Sequence, residues 1–143
     1  MPKTVFIDFD GTFADRGQAP KAHLAAVREA RSNAHRVLLC TGRPKSMVPD
    51  RLLDSVFDGL VAAAGGYVEI DGTILADTRF PEDLAARAVT VLTSYDIAFI
   101  LEAPEAVYGP VGIRERIREI LGQTFGSAGA RDMASDILNP LRA

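Results

Sequence analysis

The sequence predicts an α/β fold in its first part, followed by a smaller α+β region. Two short apolar runs, at residues 5–9 and 36–40, enclose an amphipathic helical pattern at residues 20–33. Such a strand–helix–strand order forms a parallel pair of strands joined by a crossover helix. In the later part, amphipathic helices alternate with short apolar runs, which predicts the α+β region. We therefore place one domain at residues 1–79 and a second at residues 80–143.

Composition excludes several classes of protein. The chain has 143 residues, 48% of them apolar and 24% charged, which is ordinary for one globular domain with room for an insertion. Its net charge of -3 is spread without a basic stripe, which argues against a nucleic-acid partner. No apolar stretch approaches the ~20 residues of a membrane span, and the N-terminus starts a strand rather than a signal peptide. The single cysteine, Cys40, forms no internal disulfide, so we expect a cytoplasmic protein with no membrane partner.

The first predicted strand ends in two acidic residues, Asp8 and Asp10, which are followed by Gly11. Alternate residues of a strand face the same side, so the two carboxylates are expected to point together while Phe9 points away. Carboxylates held this close repel each other unless a cation or a proton lies between them. An Asp-x-Asp pair also caps turns at strand ends, so the pattern alone allows either a metal or catalytic role or a plain turn.

The second predicted strand leads directly into Thr-Gly-Arg-Pro at residues 41–44. Ligands of parallel α/β sheets gather beyond the carboxyl ends of the strands, and this segment lies there. A hydroxyl, a glycine and the N-terminus of a helix predicted at residues 44–54 would together bind an oxyanion. The alternative is a plain turn in which Thr41 caps that helix.

The remaining elements follow from shorter patterns. A third strand is predicted at residues 59–64, and Asp71-Gly72 between two apolar stretches is the strongest signal for a two-residue hairpin. In the second domain the sequence predicts helices at residues 84–95 and 113–121 and strands at residues 97–101, 106–108 and 134–138. His23 and His35 lie at a helix start and in a connection, and we assign no chemistry to either.

With Asp-Phe-Asp-Gly-Thr at residues 8–12, the chain resembles the haloacid dehalogenase superfamily of phosphohydrolases, and residues 41–44 resemble the second motif of its Cof-type branch. The resemblance implies a Rossmann-like parallel core with a small α+β cap. It implies that Asp8 is the nucleophile, that Asp10 is the general acid and base, and that both help to hold one Mg²⁺. The residues that it implies for substrate and phosphate binding are Gly11, Thr12, Thr41, Gly42 and Arg43. The implied substrates are small phosphorylated metabolites such as sugar phosphates.

Other features of the resemblance are missing or ambiguous. The alternative role for Arg43 is to anchor its loop to a nearby carboxylate. No lysine stands where the third motif of the superfamily requires one, since the only lysines are Lys3, Lys21 and Lys45. Asp132 and Asp136 have the spacing of the final acidic pair but follow no buried strand, so we expect them on the surface or in the cap. The chain therefore resembles about the first half of the catalytic core.

This shortfall leaves several interpretations open. The chain is a truncated or proteolysed product, lacks a C-terminal half, is completed by another chain, or belongs to a family member that has lost catalysis. A sheet of three core strands leaves one edge uncovered, so self-association into a homo-oligomer is also expected. The second functional hypothesis is a non-catalytic phosphate-binding or assembly module. A receiver domain also pairs first-strand acids with a later threonine, but it needs an acidic residue after Cys40 and does not explain Thr-Gly-Arg-Pro.

Overall fold

The computed structural model describes residues 1–15, 18–53 and 56–142, with side chains described except at residues 125–133 and 136. It divides the chain into two compact units, Met1–Asp77 and Thr78–Ala143. The first unit contains the parallel sheet that the sequence predicts, and the second contains helices with short strands.

The first unit is built on one five-stranded sheet. Its strands, in spatial order, are β1 (Thr4–Asp8), β2 (Arg36–Cys40), β3 (Gly59–Ala62), β4 (Tyr67–Ile70) and β5 (Thr73–Asp77). The first three strands run parallel, and β4 and β5 continue the sheet as antiparallel strands. This arrangement confirms the α/β fold class predicted from the strand–helix–strand pattern.

Helix α1 (Lys21–Ser32) makes the crossover from β1 to β2, and Pro20 immediately precedes it. Val27 on this helix is buried, and Leu24 and Ala30 pack against the same core. The largest side chains of that core are Phe9, Phe13, Leu39, Leu52, Phe57, Leu60 and Tyr67. The helix thus buries the apolar face that its periodicity predicts.

The carboxylate of Asp58 ties α1 to the amino ends of two strands. Arg31 Nε donates to Asp58 Oδ1 at 2.9 Å, and the backbone N–H of Val37 donates to Asp58 Oδ2 at 2.8 Å. Arg31 also donates to the carbonyl oxygen of Val56 at 3.0 Å. Because Asp58 directly precedes β3, these bonds hold the starts of β2 and β3 against the end of the helix.

The single helix predicted at residues 44–54 is wrong. The chain instead forms a three-residue 3₁₀ turn, Lys45–Met47, followed by the one-turn helix α2 (Asp50–Leu53). Between them Val48 is extended, with ψ at 128°. Pro49 explains the break, because proline lacks an N–H donor and disfavours helical backbone in the residue before it.

The hairpin predicted around Asp71-Gly72 is confirmed. Strands β4 and β5 pair antiparallel on either side of these two residues. Asp71 has φ at 50° and Gly72 has φ at 75°. A two-residue turn of this type requires positive φ at both central positions, and Asp-Gly tolerates that conformation well.

Strand β1 lies at one edge of the described sheet, since β2 is its only partner there. Phe6 in the middle of β1 is 61% exposed, and Val5 is 38% exposed. The uncovered edge expected from the sequence is therefore present, with apolar side chains along it.

A partly buried polar cluster joins the loop after β2 to β4. Lys45 Nζ donates to Glu69 Oε2 at 2.5 Å, and the Tyr67 hydroxyl donates to the same oxygen at 2.5 Å. Lys45 also lies 5.4 Å from the centre of the Tyr67 ring. These hydrogen bonds, first from Lys45 and then from Tyr67, lower the pKa of Glu69. The cluster borders a cavity of about 480 Å³ beside β3.

The second unit combines two helices with a small sheet. Its elements are α3 (Glu82–Ser94), β6 (Leu101–Glu102), β7 (Val107–Tyr108), α4 (Ile113–Leu138) and β8 (Leu141–Arg142). Strand β7 pairs antiparallel with β6 and parallel with β8. Among the described residues, no helix combines the length and the apolar character needed to cross a bilayer.

Two strands predicted in this unit are wrong in position. Residues 134–138 belong to α4 rather than to a strand, and of residues 97–101 only Leu101 is in a strand. The final strand forms after α4, where Arg114 donates to the carbonyl oxygens of Leu138, at 2.9 Å, and of Leu141. A short apolar run fits either a strand or a buried helix turn, and here the helix continues through it.

We predict that Gly59→Ala destabilises the first unit. A Cβ at residue 59 would lie 2.5 Å from the carbonyl oxygen of Glu69 and 2.8 Å from Leu38 Cδ2. Overpacking between two strands of this kind should lower the free energy of unfolding by about 2 kcal/mol or more. Urea unfolding followed by circular dichroism measures the change.

Gly42→Ala is the matched control, because a Cβ at residue 42 would meet no atom within 4 Å. This variant should unfold within about 0.5 kcal/mol of the parent chain. Equal midpoints for the two variants would contradict the close packing of β3 against β4.

We also predict that Glu69→Gln lowers stability at neutral pH by about 1 kcal/mol. Because folding lowers the pKa of Glu69, its contribution is fully present above the ordinary glutamate pKa. That contribution disappears as the pH falls through the lowered pKa of the folded state. Unfolding free energies of the parent and variant should therefore converge in acid.

Glu29→Gln serves as the control, since it removes an exposed carboxylate of the same unit. A loss of the same size and pH dependence in both variants would show that the Lys45–Glu69 pair has no special contribution.

Candidate functional site

The two predicted acids lie at the carboxyl end of β1. Asp8 is the last residue of the strand and is paired in register with Cys40 at the end of β2. The N–H of Phe9 donates to the carbonyl oxygen of Cys40 at 3.1 Å. Phe9 is fully buried, whereas Asp8 and Asp10 are exposed, so the alternation follows the predicted pattern.

Backbone hydrogen bonds between residues close in sequence fix the turn after the acids. The N–H of Gly11 donates to the carbonyl oxygen of Ala14 at 2.8 Å, and the N–H of Phe13 donates to that of Asp8 at 3.0 Å. Gly11 has φ at 79°, a left-handed conformation that glycine adopts without strain. His23 Nδ1 donates to the carbonyl oxygen of Phe13 at 2.9 Å. The histidine for which we predicted no chemistry therefore anchors the turn to the start of α1.

Thr41 begins the loop that leaves β2. Its N–H donates to the carbonyl oxygen of Val61 on β3 at 2.9 Å, and only 6% of the residue is exposed. Its hydroxyl oxygen accepts the N–H of Arg43 at 3.0 Å. A hydroxyl that accepts one hydrogen bond still has its own proton to donate, so Thr41 retains a donor for a ligand oxygen.

The oxyanion site predicted at this loop changes in one respect. Residues 41–44 lead into a three-residue 3₁₀ turn, so the predicted helix N-terminus is not there to contribute a dipole. Gly42 is exposed, with no atom within 4 Å of the position that a Cβ would occupy. An anion would be bound by the Thr41 hydroxyl and by the open backbone around Gly42. Thr12 lies exposed on the turn after the acids.

Arg43 connects the two loops of the site. Its Nε donates to Asp10 Oδ2 at 2.7 Å, and its Nη2 donates to Asp10 Oδ1 at 2.7 Å. The guanidinium carbon lies 5.2 Å from the centre of the Phe9 ring. The sequence left open whether Arg43 contacts phosphate or anchors its loop to a carboxylate, and in this structure it is paired with Asp10.

Three side chains at the end of β2 and in the loop after it, Cys40, Arg43 and Lys45, differ in the charge that they bring to Asp8 and Asp10. Burial, followed by the charge of Asp8, raises the pKa of the Cys40 thiol, so this neighbour is a protonated thiol at neutral pH. Lys45 follows the second motif closely in sequence, but its ammonium group is paired with Glu69. Arg43 is therefore the cation that the structure brings to Asp10.

The acid pair offers a donor set of the kind that Mg²⁺ takes. Mg²⁺ is commonly held by one or two carboxylates, while waters and substrate phosphate oxygens fill its other positions. Asp8 and Asp10 supply two exposed carboxylates. Among the side chains that the structure describes, no group of 3 or more His, Cys, Asp and Glu could hold a metal.

Two further acidic candidates, Asp132 and Asp136, lie on helix α4, and their side chains are outside the described part of the structure. Asp15 is exposed and pairs through its backbone with Gln18. Two contributions were not predicted from the sequence, the packing of the Arg43 guanidinium over the Phe9 ring and the hydrogen bond from His23 to the turn.

Several solved structures share this fold. A hypothetical protein from Geobacillus kaustophilus HTA426 gives a TM-score of 0.75 at 22% identity, covering 87% of this chain and 49% of its own. A haloacid dehalogenase-like hydrolase from B. subtilis gives 0.73 at 19% identity, covering 96% of this chain and 50% of its own. A sugar phosphatase of HAD subclass IIB gives 0.69 at 18% identity, covering 100% of this chain and 53% of its own.

The chain spans about half the length of these structures. None of the curated proteins compared with the chain matches it. The family model described as haloacid dehalogenase-like hydrolase matches residues 5–131, which include both sequence motifs. The resemblance predicted from those motifs is thereby confirmed, and the chain belongs to the haloacid dehalogenase-like hydrolases.

Proposed function

We propose that this chain carries the phosphoryl-transfer site of a Mg²⁺-dependent phosphatase. The observation that carries the proposal is the register of β1 against β2, which pairs Asp8 with Cys40. The acids and Thr41 therefore lie at the carboxyl ends of neighbouring strands. Neighbouring strands are ~4.8 Å apart, a spacing that lets one phosphoryl group contact the ends of both. Membership of a hydrolase family supports the same reaction class.

In the proposed reaction Asp8 attacks the phosphorus atom of a phosphate monoester. The bond from phosphorus to the ester oxygen breaks, and Asp10 donates a proton to the departing alcohol. Asp10 then takes a proton from water as the water attacks the phosphorus of the aspartyl phosphate, which releases phosphate and restores Asp8. Two displacements of this kind replace one more difficult step.

The other predicted residues hold the phosphate. The Thr41 hydroxyl donates to a phosphoryl oxygen, and the backbone at Gly42, Gly11 and Thr12 lines the space around it. Asp8 and Asp10 would hold Mg²⁺, which would supply positive charge against the phosphoryl oxygens. Burial of Thr41 and the hydrogen bond from the Arg43 N–H to its hydroxyl oxygen restrict the position of this hydroxyl.

The proposed substrates are small phosphorylated metabolites such as sugar phosphates. One structural neighbour is a sugar phosphatase, and the acid pair itself recognises only the phosphate. We propose a cytoplasmic location, because Cys40 has no second cysteine with which to form a disulfide within the chain. Self-association remains part of the proposal, supported by the exposed Phe6 on the edge strand.

A second candidate is a phosphate-binding or assembly module without turnover. The described residues provide no group of 3 metal-binding side chains, and Arg43 already occupies both oxygens of Asp10. Such a module would bind phosphate at Thr41 and Gly42 and release it unchanged. Measurements of binding and of turnover on the same sample distinguish the two candidates.

We predict that Asp8→Asn abolishes Mg²⁺-dependent hydrolysis of p-nitrophenyl phosphate. An amide is not a nucleophile toward phosphorus and is a weaker ligand for Mg²⁺, so the rate should fall by at least ~10³-fold. Release of p-nitrophenol at saturating Mg²⁺ measures the rate.

Asp15→Asn is the matched control, because Asp15 is an exposed turn residue of the same charge. This variant should retain the rate of the parent chain. A parent chain that binds phosphate but hydrolyses no ester would favour the module, and equal rates for Asp8→Asn and the parent would exclude Asp8 as the nucleophile.

We predict that Thr41→Val weakens binding of phosphate by ~10-fold to 100-fold, since it removes a hydrogen bond to a charged ligand without changing the side-chain shape. Thr41→Ser keeps the hydroxyl and should bind within a few-fold of the parent. Titration with inorganic phosphate in the presence of Mg²⁺, followed by calorimetry, measures both. Binding by Thr41→Val that is as tight as in the parent would show that the hydroxyl does not contribute.

A further inference from the structure

We propose that His23 is a positioning residue for the two acids at the end of β1. Its hydrogen bond to the carbonyl oxygen of Phe13 holds the acid turn, residues 9–14, in the shape that places Asp8 and Asp10 for reaction. The inference rests on the proposed function insofar as that function makes these acids the nucleophile and the general acid and base. It goes further by assigning a role in the reaction to a residue of α1, outside both sequence motifs.

The peptide group between Phe13 and Ala14 connects His23 to the acids. Its carbonyl oxygen accepts His23 Nδ1 at 2.9 Å, and its N–H donates to the carbonyl oxygen of Phe9 at 2.8 Å. A peptide group is planar, so a rotation that moves the carbonyl oxygen also moves the N–H. Loss of the bond from His23 would therefore weaken the bond to Phe9, which lies between the two acids.

The residue on the other side of this peptide bond carries the second connection. The N–H of Phe13 donates to the carbonyl oxygen of Asp8 at 3.0 Å. The Phe13 ring is buried and packs edge-on against Phe57, with 4.9 Å between the ring centres. Burial of the ring fixes where Phe13 lies, but it leaves the peptide group that follows free to rotate. The hydrogen bond from His23 restricts that rotation.

Helix α1 gives this donor a fixed position. His23 is the third residue of the helix, and Val27, one turn further on, is buried in the core. A carbonyl oxygen only accepts hydrogen bonds, so Nδ1 is a protonated nitrogen of the ring in this contact. The imidazole therefore acts through its hydrogen bond to the backbone and is a positioning residue rather than a catalytic one.

The second histidine of the chain provides a matched control. His35 Nδ1 accepts the N–H of Lys3 at 3.1 Å. Lys3 directly precedes β1, so this bond lies at the amino end of the strand, whereas the acids lie at its carboxyl end. His35→Phe therefore removes a ring nitrogen that bonds to the backbone near β1 without touching the acid turn.

The first measurement is amide hydrogen exchange in the acid turn. His23→Phe keeps an aromatic ring and removes the donor, so the N–H groups of Phe13 and Ala14 should exchange ~10-fold faster than in the parent chain. His23→Asn places an amide donor near the position of Nδ1 and should restore most of the protection. His35→Phe should leave exchange of both groups within ~2-fold of the parent.

The second measurement is steady-state hydrolysis of p-nitrophenyl phosphate with Mg²⁺. His23→Phe should lower kcat by ~10-fold, because misplaced acids slow the chemical step. KM should stay within ~3-fold, because the Thr41 hydroxyl that holds the phosphate lies on the loop after β2. His23→Asn should recover most of kcat, and His35→Phe should retain it. Circular dichroism at the assay temperature checks that a lower kcat does not reflect a smaller folded fraction.

The outcomes separate this inference from the proposed function. Equal exchange of the acid turn in His23→Phe and the parent would overturn the inference, whether or not the chain is a phosphatase. Faster exchange with an unchanged kcat would overturn it as well. A parent chain that hydrolyses no ester would reject the phosphatase, and faster exchange that His23→Asn reverses would then still support the positioning of the acids by His23. His23→Leu, which also lacks the donor, carries the comparison if His23→Phe is not folded.

Discussion

Parallel pairing of β1 with β2 is the constraint on which the rest of the site depends. The two strands pair residue by residue, ending with Asp8 beside Cys40. A slip of one residue would exchange the two faces of β1 and turn Phe9 outward in place of the acids. Complete burial of Phe9 opposes such a slip, because exposing a phenyl ring costs several kcal/mol, on the order of the loss in a core truncation. The core and the site are therefore specified by the same register.

Hydrogen bonds in the loops then position the site residues at the carboxyl ends of the strands. The turn after β1 is closed by its own backbone and is tied to α1 through His23. The loop after β2 is tied to β3 through Thr41 and to the β1 turn through Arg43. Each loop also has buried residues, Phe13 and Ala14 in the first and Thr41 in the second. Burial and directional hydrogen bonds together hold these loops on the rigid sheet, where binding residues are commonly found.

How far the sequence predicts this structure depends on the range of the interactions. Strand β2 and the Asp71-Gly72 hairpin are local patterns, and the structure has them where the sequence predicts them. Pro49 is also a local signal, but proline is tolerated in the first turn of a helix, so it does not by itself exclude a helix over residues 44–54. The strand predicted at residues 134–138 failed because a short apolar run does not distinguish a strand from the end of a long helix. The pairing of Arg43 with Asp10 spans 33 residues, and spacing alone cannot reveal such a contact.

Charge balance at the carboxyl end of the sheet explains why the proposed reaction needs a cation in addition to Arg43. Asp8 and Asp10 carry two negative charges, and Arg43 compensates one of them. A phosphate monoester brings about two more at neutral pH, and Lys45 is committed to Glu69. A phosphate can therefore approach these acids only if additional positive charge arrives with it. A divalent cation meets that need, because it adds positive charge while the Arg43–Asp10 pair already uses the guanidinium.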